Sequence, residues 1–143
     1  MSDQLSDIQT KAISLLKELI SIPSFSKEEE STASCIQKFL HSTGIKTERH
    51  LNNIWATNKF FDDAKPTILL NSHHDTVKPN KGYTLDPFSP IEKNGKLYGL
   101  GSNDAGGCLV SLIASFMHFY NKENLKYNLI LATTAEEEIS GKN

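Results

Sequence analysis

Apolar residues recur three or four positions apart at Leu5, Ile8, Ala12, Leu15, Leu16, Leu19 and Ile20. This spacing predicts an amphipathic helix over 4–21, which Pro23 closes. A second helix is predicted from Ser26, where Ser26 and Glu29 read as a capping box, to Gly44, a residue suited to the turn past a helix end. Its apolar face is Ala33, Ile36, Phe39 and Leu40. Residues 45–51 and 54–60 then read as two strands of an edge hairpin, joined at Asn52-Asn53, a pair that tolerates left-handed backbone. The run from Thr67 to Ser72 is short, almost wholly apolar and preceded by Pro66, which predicts a central strand buried on both faces.

Residues 77–90 are rich in Pro, Gly, Asn and Asp and read as a loop lining a site. Asn94-Gly95, between Pro90-Ile-Glu-Lys and Lys96-Leu-Tyr, is the strongest hairpin signal in the chain. A well-buried helix is predicted over 106–120, with Leu109, Leu112, Ile113, Phe116 and Tyr120 on one face and Val110, Ala114 and Met117 widening it. A last strand follows over 129–133. The order of elements predicts an α/β sandwich, with no internal repeat.

A length of 143 residues suits one domain. The formal charge of −2 and pI near 6.2 supply no basic field, which argues against a nucleic-acid partner. No apolar stretch approaches the roughly 20 residues that span a bilayer, and the N-terminus lacks the basic and apolar regions of a secretory signal, so a cytoplasmic address is expected. Cys35 and Cys108 lie in different predicted helices, without CxxC or zinc-finger spacing, and are expected to be reduced, buried and inert. Gly141-Lys142-Asn143 follows an apolar strand with no helix after it to cover the strand's second face, so a fragment of a longer protein is expected.

The chemistry concentrates at the carboxyl ends of the strand-like runs, where open α/β folds build their sites. His73 and Asp75 are two apart on an extended segment, so an imidazole and a carboxylate share one side and the carboxylate can fix the ring's tautomer. His74 faces the other way and is read as structural. Asp104 lies in the glycine-rich stretch 99–107. A dinucleotide fingerprint would need Gly where Asp104 stands, and a phosphate loop would need Lys and Ser or Thr where Gly107 and Cys108 stand. Asp104 is then either a helix N-cap or a ligand. Glu136, Glu137 and Glu138 would repel one another unless exposed, protonated or bound to a cation. A divalent metal resolves that conflict, leaving a neighbouring carboxylate to take a proton from water. Each cluster alone also fits an ordinary polar loop tip; their joint occurrence at three strand ends favours metal-assisted hydrolysis.

Ser72-His-His-Asp-Thr-Val77 with Pro79, the segment Leu97-Tyr-Gly-Leu-Gly-Ser-Asn-Asp-Ala-Gly-Gly107, and Thr134-Ala-Glu-Glu-Glu-Ile-Ser-Gly141 resemble the first three motifs of the M20 metallopeptidase and amidohydrolase family. Leu19-Ile-Ser-Ile-Pro-Ser24 and Asp86-Pro-Phe88 extend the resemblance over essentially the whole chain. It implies a three-layer α/β sandwich with a mixed, mostly parallel sheet, of which 1–143 would be the N-terminal part. It implies zinc, two ions per complete subunit with cobalt as a possible substitute: His73 on one, Asp104 bridging, Glu138 on the other. Asp75 would orient His73, Glu137 would be the general base, Glu136 would have no catalytic role, and the Asp104-Ala105 peptide would be cis. Further ligands, and a domain through which such proteins form homodimers, would lie outside this chain. The lysine common two positions after the bridging aspartate is Gly106 here. The resulting Asp-Ala-Gly-Gly reads as the acetylornithine deacetylase-like branch, which implies hydrolysis of an N-acyl amino acid. Dipeptidase, carboxypeptidase and desuccinylase activities, or a non-catalytic fragment, are the alternatives.

Overall fold

The computed structural model describes residues 2–141. Helix α1, Ser2–Ile20, and helix α2, Glu30–Ser42, precede the antiparallel pair β1, Glu48–His50, and β2, Asn53–Thr57. Strand β3, Thr67–His73, the hairpin β4, Ile91–Lys93, with β5, Lys96–Tyr98, helix α3, Cys108–Phe119, and strand β6, Asn128–Thr134, complete the order. A single tight turn, Glu137–Ile139, follows β6.

The main sheet runs β1-β2-β6-β3. It is mixed, as expected, but its parallel share is small among the described residues. Only β3 and β6 pair in parallel, because the edge hairpin docks antiparallel on the other side of β6. Alternation along the strands turns Ile54, Ala56, Leu129 and Leu131 to the face that meets the helices. There they form one core with Leu15 of α1, Ile36 and Leu40 of α2, and Ile113 and Phe116 of α3. Trp55, Leu69 and Ile130 alternate to the opposite face. Of the three layers expected, the described residues supply the sheet and the helices on one face.

Several boundaries move for physical reasons. Among the described residues β6 is paired on both sides and buried, whereas β3 stands at the end of the strand order, with Ile68 and Leu69 43% and 59% exposed. An all-apolar run reveals that a strand is suited to burial but not which neighbours cover it. The capping box does not form: α2 starts at Glu30 without a side-chain cap, and Ser26 and Glu29 are engaged elsewhere. The first hairpin turns at Leu51-Asn52, one residue early, since His50 pairs with Asn53. Leu51 takes the positive φ of 52°.

Other local signals hold. Gly44, at φ 81°, ends α2 by donating to His41 O while Ile45 donates to Leu40 O, the double bond of a Schellman closure with buried Leu40 and Ile45 beside it. Asn94 and Gly95 both adopt positive φ in the β4–β5 turn. Cys35 is buried, and burial foremost, with Glu18 beside it, pushes its thiol up to about 12. Cys108 departs from expectation: it is exposed at the start of α3, on the face turned away from the core.

Two measurements check this packing. Phe116→Ala removes a fully buried ring and is expected to cost about 3–5 kcal/mol in urea unfolding. Thiol titration of the folded chain is expected to label Cys108 readily and Cys35 only after denaturation.

Candidate metal centre

The parallel register pairs His73 with Thr134, so the residues that follow the two strands leave the sheet side by side. The segment after β3 carries Asp75, and the segment after β6 carries Glu136, Glu137 and Glu138. The third contributor, Asp104, comes from the turn Ser102–Gly107 ahead of α3, where Asp104 and Ala105 have non-helical backbone and the peptide between them is cis. Gly101 makes this turn possible with φ 72°, and any Cβ there would come within 2.7 Å of Thr76 Cγ2. A Cβ at Gly106 would lie 2.5 Å from Gly101 O and 2.7 Å from Leu16 Cδ1, which explains glycine at that position.

His73 is 8% exposed, and its Nε2 faces Asp104 Oδ1 at 3.2 Å and Glu137 Oε2 at 3.6 Å. Its Nδ1 lies 3.1 Å from the carbonyl oxygen of Asp75 and 3.3 Å from Asp75 Oδ1. The two acceptors at Nδ1 can hold a proton there, the tautomer in which Nε2 would offer its lone pair to a metal at the open cluster. Asp104 does not cap α3, whose N-cap is Gly107 without a side-chain bond; its side chain is 77% exposed beside His73. One ligand atom each from His73, Asp104 and Glu138 lie within 4.8 Å of one another, a spacing that can hold a metal ion. One imidazole nitrogen and two carboxylates form a donor set that suits zinc and similar divalent ions, and a buried carboxylate behind the imidazole is the support such ligands ordinarily have. The residues present therefore fit the implied metal.

The charges act accordingly. Burial lowers the proton affinity of His73, but the Asp75 charge, the hydrogen bond to Asp104 and the Glu137 charge outweigh it and raise its pKa above the ordinary value. Burial and the Asp104 carboxylate push Glu138 up.

Asp75 is fully buried and organises the cluster. Its Oδ1 accepts from Glu137 N at 3.1 Å, and its Oδ2 accepts from Glu138 N at 3.1 Å and from Ser26 Oγ at 2.7 Å. His74 points elsewhere: Nε2 donates to the Asn52 carbonyl at 2.9 Å, and Nδ1 meets the Thr32 hydroxyl at 2.9 Å. Burial lowers its pKa, consistent with a neutral ring in that pair of bonds. Loop residues 82–86 line a cleft with Leu97, Tyr98, Gly99 and Ser102, the last of these at the start of the turn that bears Asp104. Ser26, Glu29 and Asn52 escaped sequence reasoning as parts of this region. Ser26 and Glu29 carried a plausible local role in a capping box, and nothing local links them to residues 75 and 136.

Comparison with known proteins follows the same residues. The model described as Peptidase family M20/M25/M40 matches residues 69–143, just over half of the chain. Succinyl-diaminopimelate desuccinylase of Buchnera aphidicola (Acyrthosiphon pisum, strain Tuc7) is 35% identical over 133 residues, covering 88% of this chain and 34% of that protein. Acetylornithine deacetylase of Buchnera aphidicola (Schizaphis graminum) is 40% identical over 99 residues, covering 64% of this chain and 26% of that protein. Among solved structures, the M20 family metallo-carboxypeptidase Sso-CP2 of Sulfolobus solfataricus superposes with a TM-score of 0.72 at 26% identity, over 90% of this chain and 31% of that one. The chain spans about a third of the length of the curated relatives it matches. On the matched segment, which runs from within β3 through the acidic cluster, the chain belongs to peptidase family M20/M25/M40.

Proposed function

We propose that this chain is the N-terminal part of the catalytic domain of a metal-dependent amidohydrolase that cleaves the amide of an N-acyl amino acid. The convergence of His73, Asp104 and Glu138 carries this reading. In it, His73, Asp104 and Glu138 would hold a pair of zinc ions, with the remaining ligands and a dimer-forming domain supplied by segments outside these residues. A bound metal pair supplies polarisation of the amide carbonyl and lowers the pKa of water.

The chain's own residues do the rest. Asp75 keeps the His73 proton on Nδ1, so that Nε2 is free to bind. Glu137, exposed on the rim with Oε2 3.6 Å from His73 Nε2, takes the proton of the attacking water and returns it to the departing nitrogen. Glu136, with its backbone in the left-handed region at φ 59°, has no part in proton transfer. Among substrates, an acetylated amino acid such as N-acetylornithine is the first choice, on the Asp104-Ala-Gly-Gly107 sequence and the acetylornithine deacetylase relative. A succinylated diamino acid is the second, favoured by the desuccinylase relatives that match more of the chain.

Isothermal titration with zinc is expected to show binding by this chain that weakens at least about tenfold in His73→Ala and Asp104→Ala and persists in Glu137→Gln. Equal affinity in all four proteins would remove the metal assignment. In a longer protein that contains this chain and hydrolyses N-acyl amino acids, Glu137→Gln is expected to lower kcat by roughly 10²–10⁴-fold with metal content unchanged. Loss of metal together with activity would withdraw Glu137 as the base. Comparing kcat/KM for N-acetylornithine and N-succinyl-diaminopimelate there decides between the acyl groups.

A further inference from the structure

Glu29 is a fully buried carboxylate in the loop that enters α2, and the mechanism above does not use it. Each hydrogen bond to its carboxylate comes from an N–H donor. Oε1 accepts from Lys27 N at 2.7 Å and from Glu136 N at 3.2 Å, and Oε2 accepts from Asn52 Nδ2 at 2.9 Å. Asn52 cannot turn its amide round to suit a different partner, because its Oδ1 receives Arg49 Nη2 at 3.1 Å. That guanidinium is itself fixed by Glu30 at 2.6 Å and by the Leu51 carbonyl at 2.6 Å.

The Glu136 amide stands first in a row of three. Glu29 holds Glu136 N, and Asp75 holds Glu137 N and Glu138 N. Two buried acids, from the α2 entry and from the end of β3, thus grip three successive backbone amides whose own side chains are all carboxylates. Among the described residues, backbone in this segment has no strand pairing beyond Thr134; its own turn bonds are Gly141 N to Glu136 O and Ser140 N to Glu137 O. Glu136 also sits at φ 59° and ψ 22°, a conformation that L-residues other than Gly, Asn and Asp seldom adopt unless their surroundings impose it.

We infer that Glu29 is a positioning residue: its buried carboxylate, set by the Arg49–Asn52 relay, clamps Glu136 in the left-handed conformation and thereby aims Glu137 and Glu138 into the metal centre. The importance of that aim rests on the metal-centre reading; the clamp itself does not. The clamp also explains why a residue placed like a capping-box glutamate leaves its own helix uncapped. Its Oε1 is committed to an amide 107 residues further along the chain and its Oε2 to Asn52.

The design is open to a swap of chemistry. Glu29→Gln keeps shape but puts an NH2 group against a donor, either Asn52 Nδ2 or the two backbone amides. Adding Asn52→Asp restores the match, since the new carboxylate can accept both from the amide introduced at position 29 and from Arg49. Hydrogen exchange followed by NMR on the metal-free full chain reads the result at each amide. Glu136, Glu137 and Glu138 are expected to be protected in the wild type, to exchange at least about tenfold faster in E29Q, and to regain protection in E29Q/N52D. Asn52→Asp alone sets two carboxylates together and is expected to lose protection like E29Q. If E29Q frees the Glu136 amide alone, or if E29Q/N52D leaves all three as labile as E29Q, the clamp is overturned. Cobalt(II) titration of the same proteins separates the two claims. A wild type that takes up no cobalt removes the metal centre and leaves the exchange result standing, whereas cobalt binding of equal strength in E29Q and wild type overturns the aiming role.

Discussion

Asp75 carries no solvent exposure, and its two oxygens are shared among an imidazole, a serine hydroxyl and two backbone amides that come from three separate stretches of chain. A buried carboxylate is costly unless its lone pairs are met, and here each is met by a group that the site needs in place. The imidazole at Nδ1 directs His73 outward. The amides of Glu137 and Glu138 bring the acidic strand end against it. The Ser26 hydroxyl ties both to the segment between α1 and α2. Removing the carboxylate would take their acceptor from the Ser26 hydroxyl and from the Glu137 and Glu138 amides, leaving His73 Nδ1 only the Asp75 carbonyl, so the geometry of the cluster depends on this one group more than on any of the exposed acids around it.

The fold serves that group by register. Because β3 and β6 are parallel and aligned with His73 opposite Thr134, their following residues emerge at the same height, and a side chain two residues beyond His73 reaches amides three and four residues beyond Thr134. Parallel neighbours at a sheet's carboxyl edge are the standard place for α/β sites. The helical layer anchors this edge from one face through Leu129, Leu131 and Phe116. The turn that bears Asp104 needs glycine at positions 101 and 106, where side chains would strike Thr76 and the turn's own carbonyl. The exposed carboxylates of Asp104 and Glu137 can then approach one imidazole, where with Asp75 they raise its proton affinity, while burial and the Asp104 carboxylate raise that of Glu138.

Much of this was legible in the sequence where the signal is local. Asn94-Gly95 and Gly44 marked their turns because positive φ is demanded of those residues themselves. The helical periods at Ile8 to Ile20 and Leu109 to Phe116 needed no knowledge of neighbours. The clusters that contain His73, Asp104 and Glu138 stood out because each follows an apolar run; the resemblance to the M20 motifs singled out those three residues, and the structure brings them together. What could not be read was long-range. Ser26 and Glu29 have the spacing of a capping box, yet Asp75 and Glu136 outcompete the helix for them, and no local pattern announces that. Asn52-Asn53 looked like the turn, but Asn52 is bound by Glu29 and Arg49, and Asn53 accepts from Ala135 N, so the pair is used for tertiary bonds and the bend falls on Leu51. Thr67 to Ser72 has the composition of a buried strand, but order within a sheet is decided by partners, and β6 took the centre.

The central claim is that His73, Asp104 and Glu138 bind metal through one imidazole nitrogen and carboxylate oxygens, with the imidazole set by Asp75. X-ray absorption at the zinc edge on the zinc-loaded chain tests it most directly. The account predicts nitrogen and oxygen neighbours at about 2.0–2.2 Å with imidazole scattering that disappears in His73→Ala, and no sulfur. A sulfur shell near about 2.3 Å, which the exposed Cys108 could supply, or imidazole scattering that survives loss of His73, would contradict it.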